Sequence, residues 1–312
     1  MLQIRENVPL SGYSTFKIGG PARYFCIAKN EEKAREALDF AIENKLRVFA
    51  IGRGSNLLIS DDGFDGLVLK AEILEKEIKE GEKGIEARLG AGLSLAKLVL
   101  DFQGEGIAGL QWAAGIPATF GGAVANNAGA KGLDMGGAIK EVRALEMRFS
   151  PEGYLTGYAP KTLTHDECGF SYRKSIFKES KRFVILDAVL ALKRGDGEAL
   201  KEEVARNMEA RSSKQPLEYP NMGSIFKNPA LSRKEQNVLA RKCPDISKVL
   251  KDDAVPAGFL IEKAGLKGKK VGGVMVSEKH ANFIVNTGGG KAEDVIILIS
   301  LIKEKVRTAF GI

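Results

Sequence analysis

Residues 221–229 read NMGSIFKNP, with Ser224 behind a glycine and ahead of Lys227, Asn228 and Pro229. A serine acts as a nucleophile only with a base in hydrogen-bonding reach. The chain holds two histidines, His165 and His280, and neither stands in a Ser-His-Asp signature. A G-x-S-x-G elbow is absent as well, because Ile225 and Phe226 follow the serine. What remains is a weak acid, able to give up a proton if something else carries the harder chemistry. That requirement points to a cofactor.

Three glycine segments could hold one: KIGGPA (17–22), IGRGSN (51–56) and AGIPATFGGAVANNAGA (114–130). Glycines let backbone amides approach an anion, and successive turn amides form a nest around it. Ser55, Asn56, Thr119, Asn126 and Asn127 add uncharged polar groups. Two such loops could enclose a pyrophosphate and the polar edge of a planar ring; the same glycines could equally serve tight turns and close packing. The common nucleotide signatures fail. Gly52 and Gly54 supply G-x-G, but Leu57 occupies the third glycine position of a Rossmann fingerprint. In TGGGKA (287–292), Val285 stands where a Walker A loop needs its first glycine, and Ala292 follows Lys291.

The elements that must position these groups are mixed. Ala34, Ala37, Leu38, Ala41 and Ile42 share one face of a helix over 31–45, and RVFAI (47–51) reads as a buried strand. Short strands follow between Leu67 and Leu89, then an amphipathic helix over 94–103 with Ser94 as its N-cap. Strands are expected at 139–149 and 182–193, and a charged helix at 198–213. Beyond it come a helix near 257–265, a strand at 282–286 and a closing helix from Ala292 to Phe310. This is an α+β pattern rather than a regular βαβ series. The change of character after Gly195 sets a domain boundary there, giving 1–195 (core about 17–194) and 196–312.

Composition narrows the function classes. The 312 residues suffice for about two domains with buried cores. No apolar run reaches membrane-spanning length, and MLQIRENVPL lacks a signal-peptide core, so a cytoplasmic protein is expected. Cys26, Cys168 and Cys243 are widely spaced without a CxxC, which argues against disulfides and a metal site. The 47 Lys and Arg against 40 Asp and Glu are scattered rather than clustered, so no nucleic-acid partner is expected. No obligate protein partner is evident either.

Collinear motifs then extend over nearly the whole chain. They include STFKIGGPA (14–22), GRGSNLLIS (52–60), GLQWAAGIPATFGGAVANNAGA (109–130), FSYRKSIFK (170–178), RSSKQPLEYPNMGSIFKNP (211–229) and GGVMVSEKHANFIVNTGGGKAEDV (272–295). In these the sequence resembles the UDP-N-acetylenolpyruvoylglucosamine reductase (UDP-N-acetylmuramate dehydrogenase) family, in its second structural subtype. The resemblance implies an FAD-binding domain of the vanillyl-alcohol oxidase and p-cresol methylhydroxylase type, followed by a substrate domain. It implies NADPH as reductant of FAD, and a UDP-sugar enolpyruvyl ether as hydride acceptor in peptidoglycan precursor synthesis.

Carried over motif by motif, Arg173 would hold the substrate carboxylate and Ser224 would donate the proton. Tyr172, Lys214, Asn228 and His280 would contact substrate. Gly52, Arg53, Gly54, Ser55, Asn56 and Leu57 would hold FAD with Gly115, Ile116, Pro117, Thr119, Gly121, Gly122, Asn126, Ala128 and Gly129. A fixed guanidinium suits the carboxylate, since its fork binds two oxygens at once and keeps its proton. Relatives bear a catalytic glutamate on a strand past the closing helix, and the sequence given ends at Ile312 before it. A catalytically impaired flavin- or UDP-sugar-binding protein, or a flavin oxidase of the same superfamily, are the alternatives.

Overall fold

The computed structural model describes residues 2–82, 84–251 and 253–312. The chain divides into two units: residues 1–9, 21–54 and 63–211 form the first, and 10–20, 55–62 and 212–312 the second.

The first unit is built on two sheets. In one, β1 (Ile4–Pro9) pairs antiparallel with β2 (Pro21–Ala28), and β2 and β3 (Val48–Ile51) both run parallel to β4 (Phe64–Ala71). Parallel strands need a crossover, and α1 (Glu31–Glu43) carries the chain from β2 to β3, on the far side of β4. That helix starts where Asn30 accepts from the Lys33 amide, and it buries Ala34, Ala37, Leu38 and Ala41, the face the periodicity predicts.

The other sheet is antiparallel, in the order β11 (Leu155–Thr164), β10 (Ile139–Phe149), β12 (Phe183–Arg194), β6 (Gly84–Gly90), β5 (Lys76–Gly81). A short β7 (Ile107–Ala108) adds to the end of β12. Central β12 reads FVILDAVLALKR and is buried along its first eight residues, as a strand covered on both faces should be. Its one charge there, Asp187, is paired with Arg88 at 2.6 Å and Arg143 at 2.9 Å. The helices α2 (Leu95–Gly104), α3 (Phe120–Asn126) and α4 (Ile176–Ser180) complete this unit with α5 (Gly197–Lys214), and a hairpin of β8 (Gly129–Ala130) and β9 (Leu133–Asp134) follows α3. Ser94 caps α2, as expected.

The second unit has one four-stranded antiparallel sheet, in the order β13 (Asn221–Ser224), β16 (Phe283–Asn286), β15 (Val274–Val276), β14 (Lys270–Val271). Around it lie α6 (Arg233–Lys242), α7 (Ala257–Lys263) and the closing α8 (Ala292–Phe310), which turns Val295, Leu298, Ile302, Val306 and Phe310 inward. Phe16 and Ile18, from the segment 10–20, also belong to this core.

The boundary expected after Gly195 lies one helix away from the division after Arg211. Although charged, α5 is anchored to the first unit: Leu200 and Val204 are buried, Asn207 donates to the Gln111 carbonyl at 2.8 Å, and Arg211 to the Ala114 carbonyl at 3.0 Å. Two early segments, 10–20 and 55–62, join the second unit instead.

Candidate active site

In the first unit, strand β3 releases the chain at Gly52, which lies against Thr119: a Cβ there would fall 2.1 Å from the Thr119 hydroxyl oxygen. That hydroxyl caps α3, accepting from the Gly122 amide at 3.3 Å. A Cβ on Gly121 would fall 2.6 Å from the Ala91 methyl. For Gly52 and Gly121, close packing is therefore a sufficient reason for glycine.

Gly54 is different. It is buried at φ +65°, and neither its amide nor that of Arg53 has a protein acceptor among the described residues. Buried donors are nearly always paired, so this turn has an unmet demand for an acceptor. Beside it, Ala50, Gly52, Ala71, Ala91, Thr119 and Gly122 help line a cavity of about 80 Å³, whose lining includes no charged residue. Free amides beside a charge-free wall, in which Ile51, Phe183, Val184 and Ile185 join the small residues, fit a ligand with a diphosphate and a flat uncharged ring, which is the chemistry of FAD.

Other residues assigned to the cofactor are already engaged. The Ile116 amide donates to Ala113, that of Ala128 to Ala123, and the Asn126 side chain to Gly122 at 3.0 Å. Pro117 lies between two residues of that turn, and Gly115 holds φ +73° with Arg211 packed against it. Ser55, Asn56 and Leu57 fall in the second unit. Ala50, Ala71 and Ala91 escaped the sequence reading because nothing in an alanine inside a strand or turn distinguishes a cavity wall from core.

Arg173 sits at the tip of a tight turn closed by backbone hydrogen bonds between Ser171 and Lys174. Its own φ is +57°, a left-handed conformation unusual for a long side chain. The guanidinium donates to the Gly129 carbonyl at 2.7 Å and the Asn127 carbonyl at 3.4 Å, and packs 5.4 Å from the exposed Tyr172 ring. No carboxylate pairs with it among the described residues. Ser175, fully buried, fastens the same motif by donating to the Ala125 carbonyl at 2.6 Å while capping α4.

The second unit holds the remaining candidates, and Asn282 ties the segment after Ser224 to His280. Ser224 ends β13 opposite Phe283; it is exposed, and its hydroxyl has no protein partner among the described residues. It caps nothing. The following residues are held by Asn282, whose carbonyl accepts from Ile225 and whose side chain exchanges hydrogen bonds of 3.0 and 2.9 Å with the Phe226 backbone. Asn228 accepts from the Ala257 amide at 3.0 Å, bracing the start of α7.

The Asn282 amide also donates to Nδ1 of His280 at 3.2 Å, which puts the imidazole proton on Nε2. Burial pushes the His280 pKa below its ordinary value. The ring is thus a neutral donor. Lys214, at the end of α5, is exposed and makes no ion pair among the described residues.

Most backbone amides of the TGGGKA loop are already engaged, Thr287 with the Gly273 carbonyl among them. Asn286 accepts from Gly288 and Gly290, Asp294 from Lys291 and Gly273, and Asp61 from Ala292 and Glu293. The three cysteines are buried and free, and burial raises the thiols of Cys26 and Cys168 to about 12. Among the described residues no His, Cys, Asp and Glu cluster could hold a metal ion, and no helix is long and apolar enough to cross a membrane.

This fold and donor set define a flavin-binding oxidoreductase. A family model described as an FAD binding domain matches residues 22–154, and one described as the C-terminal domain of UDP-N-acetylenolpyruvoylglucosamine reductase matches 215–312. The chain is 38% identical to the UDP-N-acetylenolpyruvoylglucosamine reductase of Lachnoclostridium phytofermentans, over 98% of its own length and 89% of the relative's. It is 37% identical to that of Bacillus velezensis, over 99% and 91%. Among solved structures, the UDP-N-acetylenolpyruvylglucosamine reductase of Thermus caldophilus superposes with a TM-score of 0.73 at 30% identity, covering 97% of this chain and 96% of that one. The chain belongs to the UDP-N-acetylenolpyruvoylglucosamine reductase family.

Proposed function

We infer that the protein reduces the enolpyruvyl ether of UDP-N-acetylglucosamine enolpyruvate to UDP-N-acetylmuramate, with FAD as cofactor and NADPH as reductant, in cytoplasmic peptidoglycan precursor synthesis. One observation carries the reading at the level of chemistry: Arg173 is half-buried, anchored by two carbonyls, and lacks a carboxylate partner among the described residues. A guanidinium so held is short of an anion, and the substrate's carboxylate supplies one.

FAD, held by the residues assigned to it in the first unit, would supply the hydride transfer from NADPH to the enol ether, which no side chain can make. The chain's residues handle the charge and the proton. Hydride arriving at one carbon places negative charge on its neighbour and the attached carboxylate. Arg173 stabilises that charge with a fork fixed beforehand, and removing one such donor typically costs ~10²–10³-fold in rate. Ser224 donates its hydroxyl proton to the charged carbon, which is basic enough to take it from an alcohol. Tyr172, Lys214, Asn228 and the Nε2–H of His280 orient the substrate.

The test is anaerobic stopped-flow absorbance on the holoprotein. NADPH bleaches the flavin, and the enolpyruvyl UDP-sugar restores its colour. Colour that fails to return with the sugar, or returns only with oxygen, overturns the reading.

A further inference from the structure

Asn127 is not among the residues carried over motif by motif, yet its carbonyl meets the Arg173 guanidinium and its side chain meets the turn that carries it. It ends α3 at φ 42° and ψ 59°, and it is 1% exposed. Its side-chain nitrogen donates to Asp134 at 3.0 Å and to the Ser171 carbonyl at 2.9 Å. Its side-chain oxygen accepts from the Gly136 amide at 2.9 Å. All its side-chain hydrogen bonds therefore reach different segments: β9, the turn after it, and the turn that carries Arg173.

The guanidinium rests on the same framework. Nη1 of Arg173 reaches the Asn127 carbonyl, and Nη2 the carbonyl of Gly129, which pairs with Asp134 across the hairpin. One side chain thus fixes both the seat of the guanidinium and, through Ser171, the turn from which it projects. The backbone conformation does not by itself demand asparagine, since glycine occupies left-handed positions at less cost. What asparagine adds is the three-way tie.

We propose that Asn127 is the positioning residue that presents the Arg173 guanidinium to the substrate carboxylate. This rests on Arg173 being the carboxylate-binding group. A side chain that acts only through Arg173 has nothing left to do once that guanidinium is gone, whereas one that merely supports the fold affects both backgrounds alike.

The experiment is a double-mutant cycle on the holoenzyme. Asn127→Gly keeps the left-handed cap and deletes only the tie. For each variant the readout is the ratio of two stopped-flow rates, flavin reoxidation by the enolpyruvyl UDP-sugar over flavin reduction by NADPH. A displacement of about 1 Å in a positioning group costs on the order of 10²-fold, so Asn127→Gly lowers the ratio by about 10- to 100-fold. In the Arg173→Ala background the same change alters it less than about twofold, within the error of additivity. Multiplying effects, or an unchanged ratio in Asn127→Gly alone, overturn the proposal. An unchanged ratio in Arg173→Ala alone overturns the reading of Arg173 beneath it, and is distinguishable. Should Asn127→Gly fail to retain flavin, Asp134→Ala removes one acceptor from the tie and carries the same cycle.

Discussion

At the scale of single residues, the second unit offers groups whose hydrogen bonds show what each is free to do. Ser224 has an exposed hydroxyl with no protein partner among the described residues, so its removal withdraws a proton donor and disturbs no cap. Ser224→Ala is expected to leave flavin bleaching by NADPH close to wild type and to slow reoxidation by the enolpyruvyl sugar ~10²–10⁴-fold. Equal slowing of both steps would mean the hydroxyl is structural. Arg173→Lys should fail at the same step, because a point charge cannot reproduce a two-oxygen fork; near-normal reoxidation would remove Arg173 from its role. His280 adds a pH signature. Its folded pKa is depressed, first by burial and also by nearby Lys267. Between the unfolded value of about 6.5 and the lower folded value, the unfolded chain binds the proton more tightly. The stability present above the unfolded value is therefore lost as pH falls through that window. His280→Gln, which keeps an acceptor for the Asn282 amide and cannot titrate, should lose less melting temperature than wild type between neutral pH and pH about 5.5. Identical losses would rule the imidazole out.

At the scale of elements, the sequence was most legible where one periodicity ran uninterrupted. The helices α1, α2 and α8 and the strands β10 and β12 lie within a few residues of expectation, because each buries one continuous apolar set. The helix α3 stayed hidden inside FGGAVAN, since each glycine costs a helix about 1 kcal/mol and local preference argues against it. Tertiary packing reverses the balance, for Gly121 lets α3 close onto Ala91. The partners of Asn127 stayed hidden for a related reason: Asp134, Gly136 and Ser171 become its neighbours only after folding. Arg173 and Ser224 were findable from motif alone, but not the carbonyls that seat one or the freedom of the other. The same packing makes Gly52 a sensitive position. In Gly52→Ala the new methyl meets the Thr119 hydroxyl, so Thr119 must turn away from the Gly122 amide. Losing that cap costs about 1 kcal/mol, and the methyl narrows a small cavity. The purified variant should show a lower flavin-to-protein absorbance ratio and a lower melting temperature; unchanged flavin content would separate this wall from the cofactor.

At the scale of the whole molecule, the chain builds two cores from six stretches of sequence, three to each unit, and the chain's single tryptophan reports on one of them. Trp112 is buried in the first core, 4% exposed, with its indole N–H bonded to the Gly109 carbonyl at 3.1 Å. The second core, from Phe16 to Phe310, contains no tryptophan. Trp112 fluorescence therefore follows unfolding of the unit matched by the FAD-binding model, independently of the other core. A ligand that binds only the folded state stabilises it by about 2.7 kcal/mol at one hundred times its dissociation constant. For a unit of this size each kcal/mol raises the midpoint by roughly 2–4 °C. Protein stripped of flavin should thus show a Trp112-monitored transition that climbs by roughly 5–10 °C as FAD is added to that level, with Gly52→Ala climbing less at equal FAD. The shift must come from the first unit, because the unpaired Arg53 and Gly54 amides and the small-residue wall both lie there. A Trp112 midpoint that ignores FAD, while far-ultraviolet circular dichroism reports a second transition that rises with it, would move the flavin out of the first unit.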